Sequence, residues 1–161
     1  MIGFISFSCS HKTVRRDDLV VLDSIESERL KITFIDDITI SNKLKWIPTY
    51  NQLNSIDSIT AKAIRENSHR HYRHLGSDSI KNYYRQFICS IDSNGDSLVY
   101  INAMYRVLEF PYKNKEGKFI FKRNDWQHEI NSVRDGGDSF WQILINFSRK
   151  RYILFRVNGE A

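Results

Sequence analysis

Cysteine, proline and glycine are all scarce in this chain, with two, two and seven of them in 161 residues. Two cysteines without a framework spacing do not define a disulfide scaffold. So little glycine and proline excludes a disordered or low-complexity chain. No apolar run is long enough to span a bilayer, and no repeat of solenoid or propeller period occurs. A nucleophile elbow, a phosphate-cradling glycine loop, a Cys-x-x-Cys pair and a His-Glu-x-x-His helix are all missing. The expectation is a protein that is not an enzyme and needs no cofactor.

Hydrophobic residues make up 41% and charged residues 27% of the chain, an ordinary balance for one folded domain of this length. The net charge of +5 permits an anionic partner. The basic residues are spread out, however, with local concentrations only at Arg65, Arg70 and Arg73 and at Arg149, Lys150 and Arg151. Runs of that length are read as solvated faces or turns, and nucleic acid is not the expected partner.

The first residues carry a different signal. Met1 to Ser8 are apolar and small, and they end at Cys9-Ser10, after which His11, Lys12, Arg15, Arg16, Asp17 and Asp18 turn the chain polar. A small residue before a cysteine suits a lipoprotein signal peptidase, although the basic opening of a full signal is missing. Residues 1–9 are therefore expected to be signal-like, with Cys9 as the lipidation site and Cys89 a lone thiol in a strand. A Cys9–Cys89 disulfide is the rival. Residues 10–28 read as a tether and 29–161 as the folded domain. Envelope attachment through Cys9 is the leading localisation, and the cytoplasm is the other.

Residues 29–40 alternate as a strand interrupted at Asp36-Asp37. Pro48 then ends an extended segment, Thr49 can cap a helix, and Gln52 stands three residues on, where a capping-box side chain reaches back. Downstream, Leu53, Ile56, Ile59 or Thr60, Ala63 and Ile64 form one apolar stripe, so the helix must cover something. Residues 83 onward read as short alternating strands. A Ser93-Asn94-Gly95 loop with Gly95 left-handed sets Asp92 opposite Asp96, Cys89 opposite Val99 and Phe87 opposite Ile101, which puts the strong apolar residues on one face. A second hairpin is expected to join 127–134 to 140–147 through Asp135-Gly136-Gly137-Asp138. The last strand then places Ile153, Phe155 and Val157 opposite Phe147, Ile145 and Ile143 across an Arg149-Lys150-Arg151 turn. Residues 109–125 read as a connecting loop, with Phe119 to Phe121 as a short edge strand. The sum is an α+β fold, one amphipathic helix on an antiparallel meander of four or five strands, a cystatin-like plan.

Trp46-Ile47-Pro48-Thr49, Tyr84-Arg85-Gln86-Phe87, Val99-Tyr100-Ile101-Asn102, Asp135-Gly136-Gly137-Asp138 and Asn158-Gly159-Glu160-Ala161 resemble phrases of small secreted lipoproteins of Bacteroidota. The resemblance runs through most of the chain from Trp46 onward. It implies an envelope location and a domain with no assigned activity, and it brings no catalytic residues.

Several constellations invite chemistry. His69, His71 and His74 could ligate a metal, but Arg65, Arg70 and Arg73 repel a cation there, and a solvated basic helix end is the plainer reading. Asp92, Asp96, Asp135 and Asp138 are brought near one another by a meander and are weak candidates for a hard cation, against the simpler view that Asp is common in turns. Cys89 with His128 is the one conceivable thiol and base. Trp46, Tyr83, Tyr84, Tyr100, Tyr105, Trp126 and Trp141 could stack bases or sugars, or fill a core. The leading expectation is a lipid-anchored envelope module with a protein or polysaccharide partner and a membrane attachment at Cys9. A basic polymer-binding module using Arg65, Arg70, Arg73, Arg149, Lys150 and Arg151, and a cystatin-like inhibitor of a secreted hydrolase, are the alternatives.

Overall fold

The helix begins at its sequence signal. In a computed structural model that describes residues 32–35, 46–67 and 72–159, helix α1 (Tyr50–Asn67) follows Thr49 directly. Leu53 N–H closes the first turn on the Thr49 carbonyl at 2.9 Å, and the Gln52 side-chain oxygen accepts from Thr49 N–H at 2.7 Å. Both polar groups at the helix entrance are thereby satisfied. Leu53, Ile56, Thr60, Ala63 and Ile64 are its buried residues. Thr60 rather than Ile59 takes the central position, and it can do so because its hydroxyl donates to the Ile56 carbonyl at 2.9 Å.

The stripe lies on a five-stranded sheet of order β1 (Ile32–Phe34), β2 (Tyr84–Ile91), β3 (Ser97–Met104), β6 (Phe140–Asn146), β7 (Arg151–Val157). A separate hairpin, β4 (Glu109–Lys113) with β5 (Phe119–Arg123), interrupts the run between β3 and β6. The architecture is α+β. Its sheet is antiparallel from β2 to β7, while β1 adds to β2 in parallel. Cys9, the segments 1–9 and 10–28, and His69, Arg70 and His71 lie outside the described residues.

The β2–β3 register is the expected one. Phe87 pairs with Ile101 and Cys89 with Val99, Asp92 N–H bonds the Asp96 carbonyl at 2.9 Å, and Gly95 has φ +80°. Carried across the sheet, that register makes one apolar row of Phe34, Phe87, Ile101, Ile143 and Phe155. The helix buries this face. Trp46 secures the helix entrance by donating its indole N–H to the carbonyls of Ser90 and Leu98 at 3.1 and 3.3 Å and packing on Phe147.

Three expectations fail. Residues 127–134 form no strand, and β6 pairs instead with β3 and β7. Their backbone is held by side chains from the sheet, which replaces a ladder. Residues 109–113 and 119–123 form a two-stranded sheet of their own rather than a loop with one edge strand. The last hairpin is tighter than the alternation implied: the turn is 147–150, Phe155 faces Ile143, Val157 faces Trp141, and Tyr152 faces Ile145. Asn146 Oδ1 caps the Arg149 N–H at 2.9 Å, and Lys150 takes the left-handed φ of +52°, which pulls the turn back from 149–151. A bulge between Leu144 and Ile145 absorbs the slip and leaves Ile153 outside.

Candidate functional site: a polar row under a loop

The face of the sheet turned away from the helix carries the candidate site. The register that aligns the apolar row also aligns, one residue over, Gln86, Asn102, Gln142 and Arg156 across β2, β3, β6 and β7. Buried amides need partners. Gln86 Nε2 donates to the Trp126 and Glu129 carbonyls, both at 2.6 Å, while its Oε1 accepts from Asn102 Nδ2 at 2.8 Å and Asn131 N–H at 3.1 Å. Asn102 Nδ2 also reaches the Asn131 carbonyl at 2.7 Å, and Asn124 and Asn131 bond side chain to side chain. Residues 124–135 thus roof this face through side-chain hydrogen bonds in place of a strand ladder.

The roof is pinned at its far end by the tail. Asn158 Nδ2 donates to the Val133 and Asp135 carbonyls at 2.6 and 3.2 Å, and its Oδ1 accepts from Gln142 Nε2 at 3.1 Å. Gly137 N–H bonds the Gly159 carbonyl at 2.9 Å. The short phrases around Gln86, Asn102, Asp135 and Asn158 therefore meet in one place, although they are scattered in sequence.

Between roof and sheet lies a cleft of about 450 Å³ whose lining includes Tyr100, Arg134, Gln142, Arg156 and Asn158. Neither guanidinium belongs to an ion pair among the described residues. Burial raises the Tyr100 phenol above its ordinary value, with Arg156 pulling the other way, so the hydroxyl is a neutral donor. Two cationic forks, a phenol and an amide present donors to an oxyanion, and planar guanidinium suits carboxylate or phosphate in particular.

The other candidates are placed as follows. Asp92 and Asp96 sit at the β2–β3 turn, whereas Asp135 and Asp138 sit where β6 begins, opposite the end of β3. The expected meeting of four carboxylates does not occur, because the 127–134 strand that would have returned the chain is not formed. Asp96 is occupied by Asn146 Nδ2 at 2.8 Å and Arg149 Nε at 2.6 Å. Asp138 accepts the His74 and Leu75 N–H groups at 2.5 and 3.1 Å. The His74 ring stacks on Tyr105, with centroids 4.5 Å apart. No group of three or more His, Cys, Asp or Glu suited to a metal occurs among the described residues.

Of the basic candidates, Arg65 and Arg73 are exposed at and beyond the end of the helix. Arg149 pairs with Asp96, and Lys150 lies over the Phe147 ring at 3.4 Å. Arg151 opens β7 beside Tyr152, whose hydroxyl donates to Glu66 at 2.9 Å. Cys89 lies on the helix side, where burial pushes its thiol up to about 12, while exposed His128 sits on the roof and bonds Asp125 at 2.8 Å. They do not form a pair. Tyr83 and Trp141 are core residues, Trp46 packs against the core, and Tyr84 meets Trp126 edge-on, so the aromatics make no shared platform.

Apolar alternation alone does not reveal the polar row, which occupies the other half of the same alternation. The signal is present in the sequence, since the β2–β3 register set by the Gly95 turn places Gln86 opposite Asn102. No protein-family model, curated protein or solved structure matches the chain. Fold and cleft together define a small α+β domain with a cationic, amide-floored cleft on the face opposite its helix.

Proposed function

We propose that this chain is a non-enzymatic binding module of the cell envelope, anchored by lipid at Cys9, whose cleft takes an acidic polysaccharide. The observation that carries the reading is the pair of guanidinium groups, Arg134 and Arg156, lining a cleft of about 450 Å³ without an acidic partner among the described residues. Carboxylates along a uronic-acid chain match those forks, and the Tyr100 hydroxyl and the Gln142 amide match its hydroxyls.

Calorimetric titration with a uronic-acid oligosaccharide tests this. Arg134→Ala and Arg156→Ala are each expected to weaken binding by roughly tenfold or more, the worth of a charge-assisted hydrogen bond. Equal affinity for a neutral oligosaccharide of the same length would refute the assignment. Labelled palmitate that persists after Cys9→Ala would remove the anchor. The basic-polymer alternative requires binding to an oligonucleotide that falls steeply with salt. The cystatin-like alternative rests on the helix-on-sheet plan alone, and a panel of cysteine proteases left active would end it.

A further inference from the structure

The β4–β5 hairpin leaves five apolar side chains in water, with Phe119 73%, Phe121 72%, Tyr112 54%, Phe110 52% and Ile120 47% exposed. They occupy both of its faces. The pairing sets Phe121 across from Pro111 and Phe119 across from Lys113 on one side, and Ile120 across from Tyr112 and Lys122 across from Phe110 on the other. β4 and β5 pair with each other and with no other described strand. At the root, Asn124 N–H bonds the Leu108 carbonyl at 2.9 Å and the Arg123 guanidinium lies 5.8 Å from the Tyr84 ring. An isolated two-stranded hairpin is marginal in water, and apolar surface of this kind marks an interaction site.

The charges say what covers it. Lys113, Lys115, Lys118, Lys122 and Arg123 stand against Glu109 and Glu116 within the hairpin. We propose that this hairpin seats itself in the headgroup layer of an anionic lipid surface. Aromatic rings favour that layer, and lysine stems lie along the apolar boundary while their ammonium groups reach phosphate. A fluid interface surrounds both faces of the hairpin at once, whereas a protein groove, an added strand or a row of stacked bases would cover only one. Strands of five residues extend about 17 Å, short of the roughly 30 Å hydrocarbon core, so the hairpin lies in the interface and does not span it. The inference rests neither on the cleft nor on a lipid at Cys9.

The test uses the full chain with Cys9→Ser, so that no acyl chain contributes, sedimented with phosphatidylcholine vesicles with and without phosphatidylglycerol. Binding to the anionic vesicles is expected, falling roughly fivefold for each of Lys118→Gln and Lys122→Gln. The double variant Phe119→Ser with Phe121→Ser should lose it with near-UV circular dichroism unchanged, because both side chains are exposed. Trp emission in Phe121→Trp should be quenched by brominated acyl chains. The proposal is overturned by any of four results: no sedimentation at low salt, sedimentation indifferent to the Phe119/Phe121 double variant, a dimer that this double variant dissolves, or a single-stranded RNA shift that it abolishes.

Discussion

Removing the Asp57 carboxylate should destabilise the domain more than removing the cation that it faces. Arg85 is 0% exposed on the helix side of β2, in the row that also holds Ile32, Ala103, Trp141 and Val157. Small Ala103 beside it leaves room for the guanidinium. Its Nη1 donates to Asp57 Oδ1 at 2.5 Å, its carbon lies 5.8 Å from the Phe87 ring, and its Nε and Nη2 are buried without an acceptor. Losing one member of a buried pair costs about 3–5 kcal/mol, whereas replacing such a pair by apolar side chains of similar volume is often neutral or stabilising. The Asp57 side chain is 22% exposed, which admits water to the pair and places Asp57→Ala at the lower end, about 3 kcal/mol. For a chain of this size that is a fall in Tm of about 9 °C. Arg85→Met removes the two orphaned donors as well as the charge, so it should cost less than Asp57→Ala. Asp57→Ala combined with Arg85→Met should recover most of the loss. Urea unfolding of the four proteins in a double-mutant cycle reads this directly. Arg85→Met as damaging as Asp57→Ala, or Asp57→Ala within about 0.5 kcal/mol of the parent, the range of ordinary surface changes, would refute the reasoning.

Three further outcomes are expected. Gln86→Leu strands the buried Asn131 N–H and the part-buried Trp126 and Glu129 carbonyls, a loss of about 1–3 kcal/mol, and hydrogen exchange at the Asn131 amide should accelerate before that of the sheet. Gly136→Ala should destabilise by about 1–3 kcal/mol, because φ is +95° there and the new Cβ would sit 2.6 Å from the Phe140 ring; an unchanged thermal midpoint would contradict this. Asn146's amide, assisted by the Arg149 guanidinium, holds the Asp96 carboxyl below its usual value. A lowered folded value means that stability is present above the unfolded pKa of about 3.9 and is lost as pH falls below it, so thermal melts between about pH 5 and 3 should show a smaller loss in Asp96→Asn than in the parent.

The helix and the first hairpin were readable because their signals are local. A cap, a Gln three residues on and a 3.6-residue stripe fix α1, and one left-handed glycine fixes the Phe87–Ile101 register. The second expected hairpin fails for the same reason. Asp135-Gly136-Gly137-Asp138 looks like a turn between strands, yet Gly136 and Gly137 serve the packing of Phe140 and the Gly159 contact, and the segment before them is tied to amides 25 to 45 residues away. Bonds of that range leave no periodic trace. The last strand slipped because Asn146 acts as a cap, an effect that apolar alternation cannot register. Within the site, Gln86 and Asn102 follow from the β2–β3 pairing, while Arg134 and Arg156 line one cleft only after the roof folds over.

The kink in the outermost ribbon has a consequence for how the protein behaves when crowded. β7 lies at one border of the described sheet, three of its seven side chains are arginine or tyrosine, and Ile153 bulges away from the ladder. A neighbouring molecule trying to zip onto that border meets positive charge and a broken hydrogen-bond rhythm. Concentrated solutions should therefore resist fibril growth from this side, and straightening the ribbon by deleting Ile153 should remove that protection.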